Sequence, residues 1–123
     1  MATTERADKT TIGLTGNGRV VMTQLMAKSW FGNQMDAAKF ALAVAINAGV
    51  SAGQAEGADT TWNVGGFDPT QELRTVIPLI VPETQAPYRL VEHYLNAGLG
   101  IIGEKLAADP YLELVDLMRA SEG

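Results

Sequence analysis

The stretch from Lys9 to Gly49 constrains the fold more than any other part of the chain, because one strand pattern precedes two helical patterns there. In residues 9–15, Ile12 and Leu14 fall on one face of an extended segment and mostly polar residues fall on the other, which predicts a half-buried strand. A single strand leaves its backbone N–H and C=O groups unpaired. No other convincing strand pattern lies nearby, so we expect this strand to pair with the same segment of a second copy.

The two helical patterns that follow differ in how much of their surface is apolar. Residues 19–30 carry one apolar stripe that includes Val21 and Leu25, as in a helix with one buried face. The second pattern begins with Asp36 as its N-cap and runs through Ala48. It is rich in alanine, which favours a helix, and is apolar around most of its girth. We therefore expect it to lie in the interface of a homodimer or higher homo-oligomer.

The expected fold class is mainly α, with all the helices in one domain. We expect a flexible tail over residues 1–8, the strand and two helices over 9–50, a Gly-rich linker over 51–66 and a helical region over 67–123. The last region is expected to pack with residues 9–50, since 123 residues suffice for one modest core. The glycines near residue 98 fit either close helix contacts or a break in the longest late helix.

The composition leaves little support for catalysis. No cysteine is present, which excludes disulfides, thiolate nucleophiles and thiolate metal sites and suits a reducing cytoplasm. His93 is the only histidine, so no histidine pair can bind a metal. We therefore expect no enzyme, no metal and no cofactor. No apolar run is long enough to cross a bilayer, which predicts a soluble, cytoplasmic protein without membrane contact.

Charge is distributed unevenly along the chain, although its net charge is only −5. Residues 9–50 carry a net charge of +3, whereas residues 51–123 carry −7. Such a split is expected when one part of a chain faces a polyanion and the other faces a protein partner or solvent. A chance fluctuation in a mildly acidic protein produces the same split.

A strand that pairs across a two-fold axis and is followed by two helices resembles the ribbon-helix-helix DNA-binding proteins. In such a dimer the paired strands enter the major groove, and side chains on their outer face donate to base edges. The helix N-terminus after the turn at Asn33 could hold a phosphate, although the carboxylate of Asp36 would compete with it. The candidate DNA-binding residues are Lys9, Thr11, Arg19, Lys28, Asn33, Gln34 and Lys39. The alternative is that Lys9 and Thr11 only solvate a dimer ribbon.

Two longer stretches carry a wider resemblance. One is IGLT…RVVMTQL followed by AKFALAVAINAGV, and the other is WNVGGFDPTQELRTVIPLIV followed by YRLVEHYLNAGLGII. Over residues 10–106 the chain resembles the family of the small accessory protein E of the bacterial Dnd system for DNA phosphorothioation. The resemblance implies a compact, mostly helical oligomer with a ribbon-helix-helix-like start that binds duplex DNA, notably at nicks, through surface lysines. This chain is instead acidic and poor in lysine.

These observations favour a non-enzymatic, DNA-associated accessory or regulatory protein, of the kind found in DNA-modification or phage-defence systems. A ribbon-helix-helix transcriptional repressor or antitoxin is the alternative within DNA binding. An alternative of another class is a protein-interaction subunit that does not contact DNA and uses the acidic region 51–123 as its docking surface.

Overall fold

A computed structural model of the chain describes residues 8–120, with side chains through residue 117. Within that range the chain forms six helices and one two-stranded sheet, which confirms the mainly α expectation. The elements are β1 (Thr11–Leu14), α1 (Gly16–Met26), α2 (Gln34–Asn47), β2 (Asp59–Asn63), α3 (Val64–Phe67), α4 (Glu72–Ile80), α5 (Pro87–Ala108) and α6 (Leu114–Ala120). Of the predicted tail, residues 1–7 lie outside the described residues.

The core is organised around α5, which runs for 22 residues without a break at its glycines. Its longest helix contact is with α2, and it also contacts α1, α4 and β1. Gly98 lies where α5 crosses α2, because a Cβ there would overlap the carbonyl group of Ala41. Of the two readings of these glycines, a close helix contact is therefore the correct one at Gly98.

The partner of β1 is β2 of the same chain, in antiparallel pairing, so the expected pairing with a second copy is wrong. Ile12 faces Trp62 and Leu14 faces Asp59, with a bulge in the register between Ile12 and Gly13. The strand β2 lies in residues 51–66, where a linker was expected. Its sequence DTTWN shows no alternation of apolar and polar residues, because only Trp62 is apolar.

The second edge of β1 is covered by side chains of α5. Glu92 Oε2 accepts a hydrogen bond from the Gly13 N–H at 2.9 Å, and Asn96 Nδ2 donates to the Gly13 C=O at 3.0 Å. Asn96 Oδ1 also accepts from the Thr15 N–H at 2.9 Å. Alternate residues of a strand direct their backbone groups to opposite edges, so these bonds occupy the edge that a two-fold ribbon would need.

Most of the apolar surface of α2 is buried within the single chain. Its residues Ala37, Ala38, Ala41, Leu42, Val44 and Ala45 are buried, mainly against α5. Burial of the small alanine side chains lets the two helices approach closely. The helix begins at Gln34 with Asn33 as its N-cap, whose Oδ1 accepts from the Asp36 N–H at 2.8 Å. Asp36 is therefore in the first turn and is not the N-cap that the sequence suggested.

Asp8, the one described residue of the predicted tail, is bonded to the start of α5. Its carboxylate accepts hydrogen bonds from the backbone N–H groups of Tyr88 at 2.9 Å and Arg89 at 3.1 Å. These N–H groups belong to the first turn of the helix, where the usual acceptor four residues earlier is missing. The carboxylate also complements the positive end of the helix dipole. Asp8 thus caps a helix that begins about eighty residues later in the chain.

Candidate functional site

The predicted DNA-contacting residues on β1 are engaged inside the chain. Lys9 Nζ lies 3.2 Å from Glu92 Oε2, and the Lys9 side chain is only 24% exposed. The Thr11 hydroxyl accepts from the Thr60 hydroxyl of β2 at 3.3 Å. Lys9 therefore neutralises the buried carboxylate that holds β1 to α5, a role that the sequence pattern did not reveal.

The other three predicted cations differ in their availability to a phosphate. Lys28 Nζ donates to the Pro110 C=O at 2.6 Å, and Lys39 Nζ lies 5.3 Å from the centre of the Phe67 ring. Arg19 is exposed and makes only long contacts of 3.5 Å, to the Asp59 C=O and the Thr61 hydroxyl. These contacts lie in the loop before α6, on α3 and on β2, so the structure does not gather the predicted cations around one ligand.

The turn before α2 offers little to an anion. Asn33 is exposed, and its side-chain oxygen is already used as the N-cap of α2. Gln34 is exposed at the first position of the helix. The carboxylate of Asp36 lies in the same first turn and repels a phosphate. No second feature of the described residues strengthens an anion site here.

The most distinctive exposed surface is one side of α4. Successive helical residues turn by about 100°, so one side of α4 carries a set of residues that extends from the flank of the buried Ile77 to the opposite side of the helix. We call this set the α4 stripe: Glu72, Thr75, Val76, Leu79 and Ile80. Its three aliphatic members leave 44% of Val76, 78% of Leu79 and 42% of Ile80 exposed to solvent. Three exposed aliphatic side chains in adjacent turns form a continuous patch, in contrast to the isolated exposed Val20 on α1.

A shallow groove lies along the first half of this stripe. It has a volume of about 440 Å³ and is lined by Thr70, Glu72, Leu73, Thr75 and Val76. Its floor is aliphatic, and its rim carries two hydroxyl groups and one carboxylate. Such a mixture suits a side chain that has an apolar stem and a polar or charged end.

Packing of Ile77 and hydrogen bonds to Asp68 hold α4 in place. Ile77 is fully buried, and Asp68 caps the helix by accepting from the backbone N–H groups of Leu73 and Arg74, each at 3.1 Å. Asp68 Oδ2 also accepts from the Tyr88 hydroxyl of α5 at 2.9 Å. Gln71, just before the helix, takes a left-handed conformation with φ of 61°. The stripe is therefore a fixed surface of the folded chain.

The Asp68–Tyr88 pair is buried, and this burial changes the pKa of the Tyr88 phenol. Burial, together with the hydrogen bond to the Asp68 carboxylate and its negative charge, raises the pKa of Tyr88 to about 12. The positive charge of Arg74 opposes this rise in pKa. Arg74 is two residues from both Glu72 and Val76, so the turn of about 100° per residue places it on the other side of α4 from the stripe. Glu72 is consequently the one charged residue of α4 that lies on the stripe.

His93, the one histidine of the sequence, is used in a contact within the fold. His93 Nε2 lies 2.8 Å from the Ser51 C=O, which links α5 to the loop after α2. No group of three or more metal-binding side chains occurs among the described residues.

A second groove, between α1 and α5, has a volume of about 340 Å³ and is lined partly by Gly100 and Gly103.

The sequence alone does not reveal the stripe, because its apolar residues have the helical spacing of an ordinary core-facing side. Leu73, Val76, Ile77 and Ile80 do lie near one another, but only Ile77 is fully covered. The signal that could have revealed the stripe is Leu79, which extends the apolar surface beyond the width that one neighbouring helix can cover.

Comparison with known proteins finds no matching family model, no matching curated protein and no matching solved structure. In the part of the chain that the structure describes, no helix combines the length and apolar character needed to span a membrane.

Proposed function

We propose that this protein is a non-enzymatic interaction subunit that docks a protein partner on the α4 stripe. The observation that carries the proposal is the continuous exposure of Val76, Leu79 and Ile80 on a helix that the Asp68 cap holds in place. Exposed apolar side chains that occur singly are ordinary, whereas a contiguous patch bordered by polar groups is typical of an interaction site. The stripe lies in the acidic region 51–123, where the charge split also indicates a partner.

The exposed area limits how tightly such a partner can bind. The three side chains together expose the equivalent of one and a half whole aliphatic side chains. Since full burial of one such side chain contributes about 2 kcal/mol, covering the stripe contributes about 3 kcal/mol. Association costs about 4 kcal/mol or more before any contact is made. A partner must therefore add further contacts, and the interaction is expected to be transient unless they are extensive.

Affinity capture with matched variants tests this proposal. A Val76→Ser/Leu79→Ser variant removes two of the three exposed aliphatic side chains of the stripe, and a Val20→Ser/Val115→Ser variant likewise replaces two exposed aliphatic residues by serine elsewhere. A partner that is retained by the wild type and the control variant, lost by the stripe variant, and shown by mass measurement to form a defined complex supports the proposal. Partners that bind all three proteins equally would contradict it.

A second candidate is the DNA-associated accessory role, which the exposed Arg19 favours. Its guanidinium lies beside the Asp59 C=O and the Thr61 hydroxyl of β2, where it can donate to a phosphate. The resemblance to the Dnd accessory family points the same way. Lys9 is paired to Glu92, and Lys28 is bonded to a carbonyl. Arg19 and Lys39 are therefore the two cations of the predicted set that are most available to bind phosphates.

Mobility-shift assays at two salt concentrations test this second candidate. Two phosphate contacts per chain predict that the logarithm of the binding constant falls with a slope of about −1.8 against the logarithm of the salt concentration. Arg19→Ala should halve that slope, while Arg74→Ala, which removes the same charge on α4, should leave it unchanged. The absence of a shift on linear, nicked and single-stranded DNA at low salt would exclude the role.

A further inference from the structure

We infer that the partner of the α4 stripe is an amphipathic segment that places a lysine or arginine one helical turn from an aliphatic residue. This inference rests on the proposed docking function and specifies the chemistry of its partner. Its basis is Glu72, the single charged residue on the stripe, which lies one turn before Val76 on the same side of α4. A partner that covers Val76 and Leu79 necessarily covers or borders this carboxylate.

A cationic side chain satisfies both parts of the surface at once. Its methylene stem can lie on the aliphatic floor formed by Leu73 and Val76, while its charged end reaches Glu72. The hydroxyls of Thr70 and Thr75 on the rim of the groove offer additional acceptors for its remaining N–H groups. A neutral or acidic partner would instead remove water from the carboxylate without replacing the lost hydrogen bonds, which is unfavourable.

A second copy of this chain does not satisfy the same surface. If two copies of α4 packed antiparallel about Val76, each Glu72 would face the Ile80 of the other copy, and its charge would remain unpaired. If they packed parallel, the two Glu72 carboxylates would face each other and repel. Arg74 cannot supply the missing charge, because it is two residues from both Glu72 and Val76 and so lies on the other side of the helix. Charge complementarity therefore favours a different, basic partner over self-association.

The spacing of residues on the stripe also specifies how far apart the contacting residues of the partner must be. Residues one turn apart on a helix have Cβ atoms about 5–6 Å apart, so the cation and the aliphatic side chain that meet Glu72 and Val76 need the same separation. Residues three or four apart on a partner helix provide it. The next aliphatic contact, at Leu79, then requires another apolar residue one turn further along the partner.

Two synthetic peptides serve as probes. Both form amphipathic helices with the same leucine stripe, and they differ only in carrying lysine or glutamate beside it. Each is titrated into the isotopically labelled full chain at physiological ionic strength, and NMR shift changes give both the affinity and the location of binding. We expect the lysine peptide to bind at least tenfold more tightly than the glutamate peptide and to perturb α4. Glu72→Lys should reverse that preference. Leu79→Ser should lower the affinity for the lysine peptide by about tenfold.

Glu104→Lys is the matched control, because it makes the same charge change at an exposed position of α5. This variant should keep the wild-type preference for the lysine peptide. If Glu104→Lys changes the preference as much as Glu72→Lys does, binding follows net charge and the inferred partner chemistry is wrong. If Leu79→Ser weakens both peptides while Glu72→Lys changes neither, the docking function stands and the cationic partner is excluded. If Leu79→Ser has no effect on binding, the docking function itself fails.

Discussion

Replacement of Gly98 by alanine tests the helix crossing on which this fold depends. A Cβ at residue 98 would overlap the carbonyl oxygen of Ala41 and lie 2.5 Å from its carbonyl carbon. Ordinary van der Waals contact begins near 3.4 Å, so α2 and α5 would have to separate. Both colliding groups are close to the backbone, and no side-chain rotation can relieve the overlap. Gly98→Ala therefore acts on the largest helix–helix contact of the molecule.

The expected cost of this substitution is the difference between two effects. Alanine stabilises a helix interior by up to about 1 kcal/mol relative to glycine. Overpacking of a well-packed core costs about 1–3 kcal/mol and more where the structure cannot relax. We place the overpacking cost of Gly98→Ala at the upper end of this range, which leaves a net loss of about 2 kcal/mol. For a domain of this size, such a loss lowers the midpoint of thermal unfolding by roughly 8 °C.

Gly100→Ala, two residues further along α5, separates the two effects. The nearest atom to a Cβ at residue 100 is Asn17 Nδ2 at 3.9 Å, which is an ordinary contact. Only the gain in helix propensity remains, so this variant should be more stable than the wild type by up to about 1 kcal/mol. Circular dichroism during urea and thermal unfolding measures both variants. Equal stabilities for the two variants, or a stable Gly98→Ala protein, would refute the close crossing of α2 and α5.

Two further predictions concern buried polar groups. Asn96→Ala removes the bonds to the Gly13 C=O of β1 and to the Thr15 N–H that follows the strand, and it should lower the free energy of unfolding by about 3 kcal/mol. Asn47→Ala, at an exposed helix end, should change it by less than about 1 kcal/mol in urea unfolding. The raised pKa of Tyr88 means that its hydrogen bond to Asp68 stabilises the fold fully below about pH 10 and loses its effect as the pH rises toward about 12. The difference in unfolding free energy between wild type and Tyr88→Phe should therefore shrink across that interval, and a constant difference would contradict the assignment.

The tripeptide Asn-Ala-Gly shows why the sequence could indicate helices without indicating their contacts. At Asn47–Gly49 the glycine takes a φ of +77° just past the end of α2, as a helix stop requires. At Asn96–Gly98 the same three residues lie inside α5, where the asparagine bonds β1 and the glycine meets α2. Local propensity describes the first case. The second depends on a backbone segment 81 residues away, which no local pattern contains.

The misplaced strand partner has a similar cause. The alternation in residues 9–15 correctly predicted β1, because its buried face carries two large aliphatic residues. In β2 only Trp62 is apolar, and its neighbours are polar residues that also suit a loop. The bulge between Ile12 and Gly13 also interrupts the regular register of the two strands. Gly13 lies directly against the backbone of β2, because a Cβ there would overlap the Asp59 carbonyl group. A strand with one apolar residue and a bulge has no period to detect.

The mass of the protein in solution decides whether the remaining exposed surface joins two copies. The sequence predicted a homo-oligomer from an unpaired strand and from the apolar girth of α2, and both features find their partners within one chain. The α4 stripe contributes only about 3 kcal/mol when covered, and its Glu72 lacks a partner in either self-packing. We therefore expect light scattering at micromolar concentration to give the mass of a single chain, 13.1 kDa. If the mass is instead twice this value, Leu79→Glu should restore the single-chain mass where the stripe is the interface. A dimer unaffected by that change would place the interface elsewhere and would leave the α4 stripe free for its basic partner.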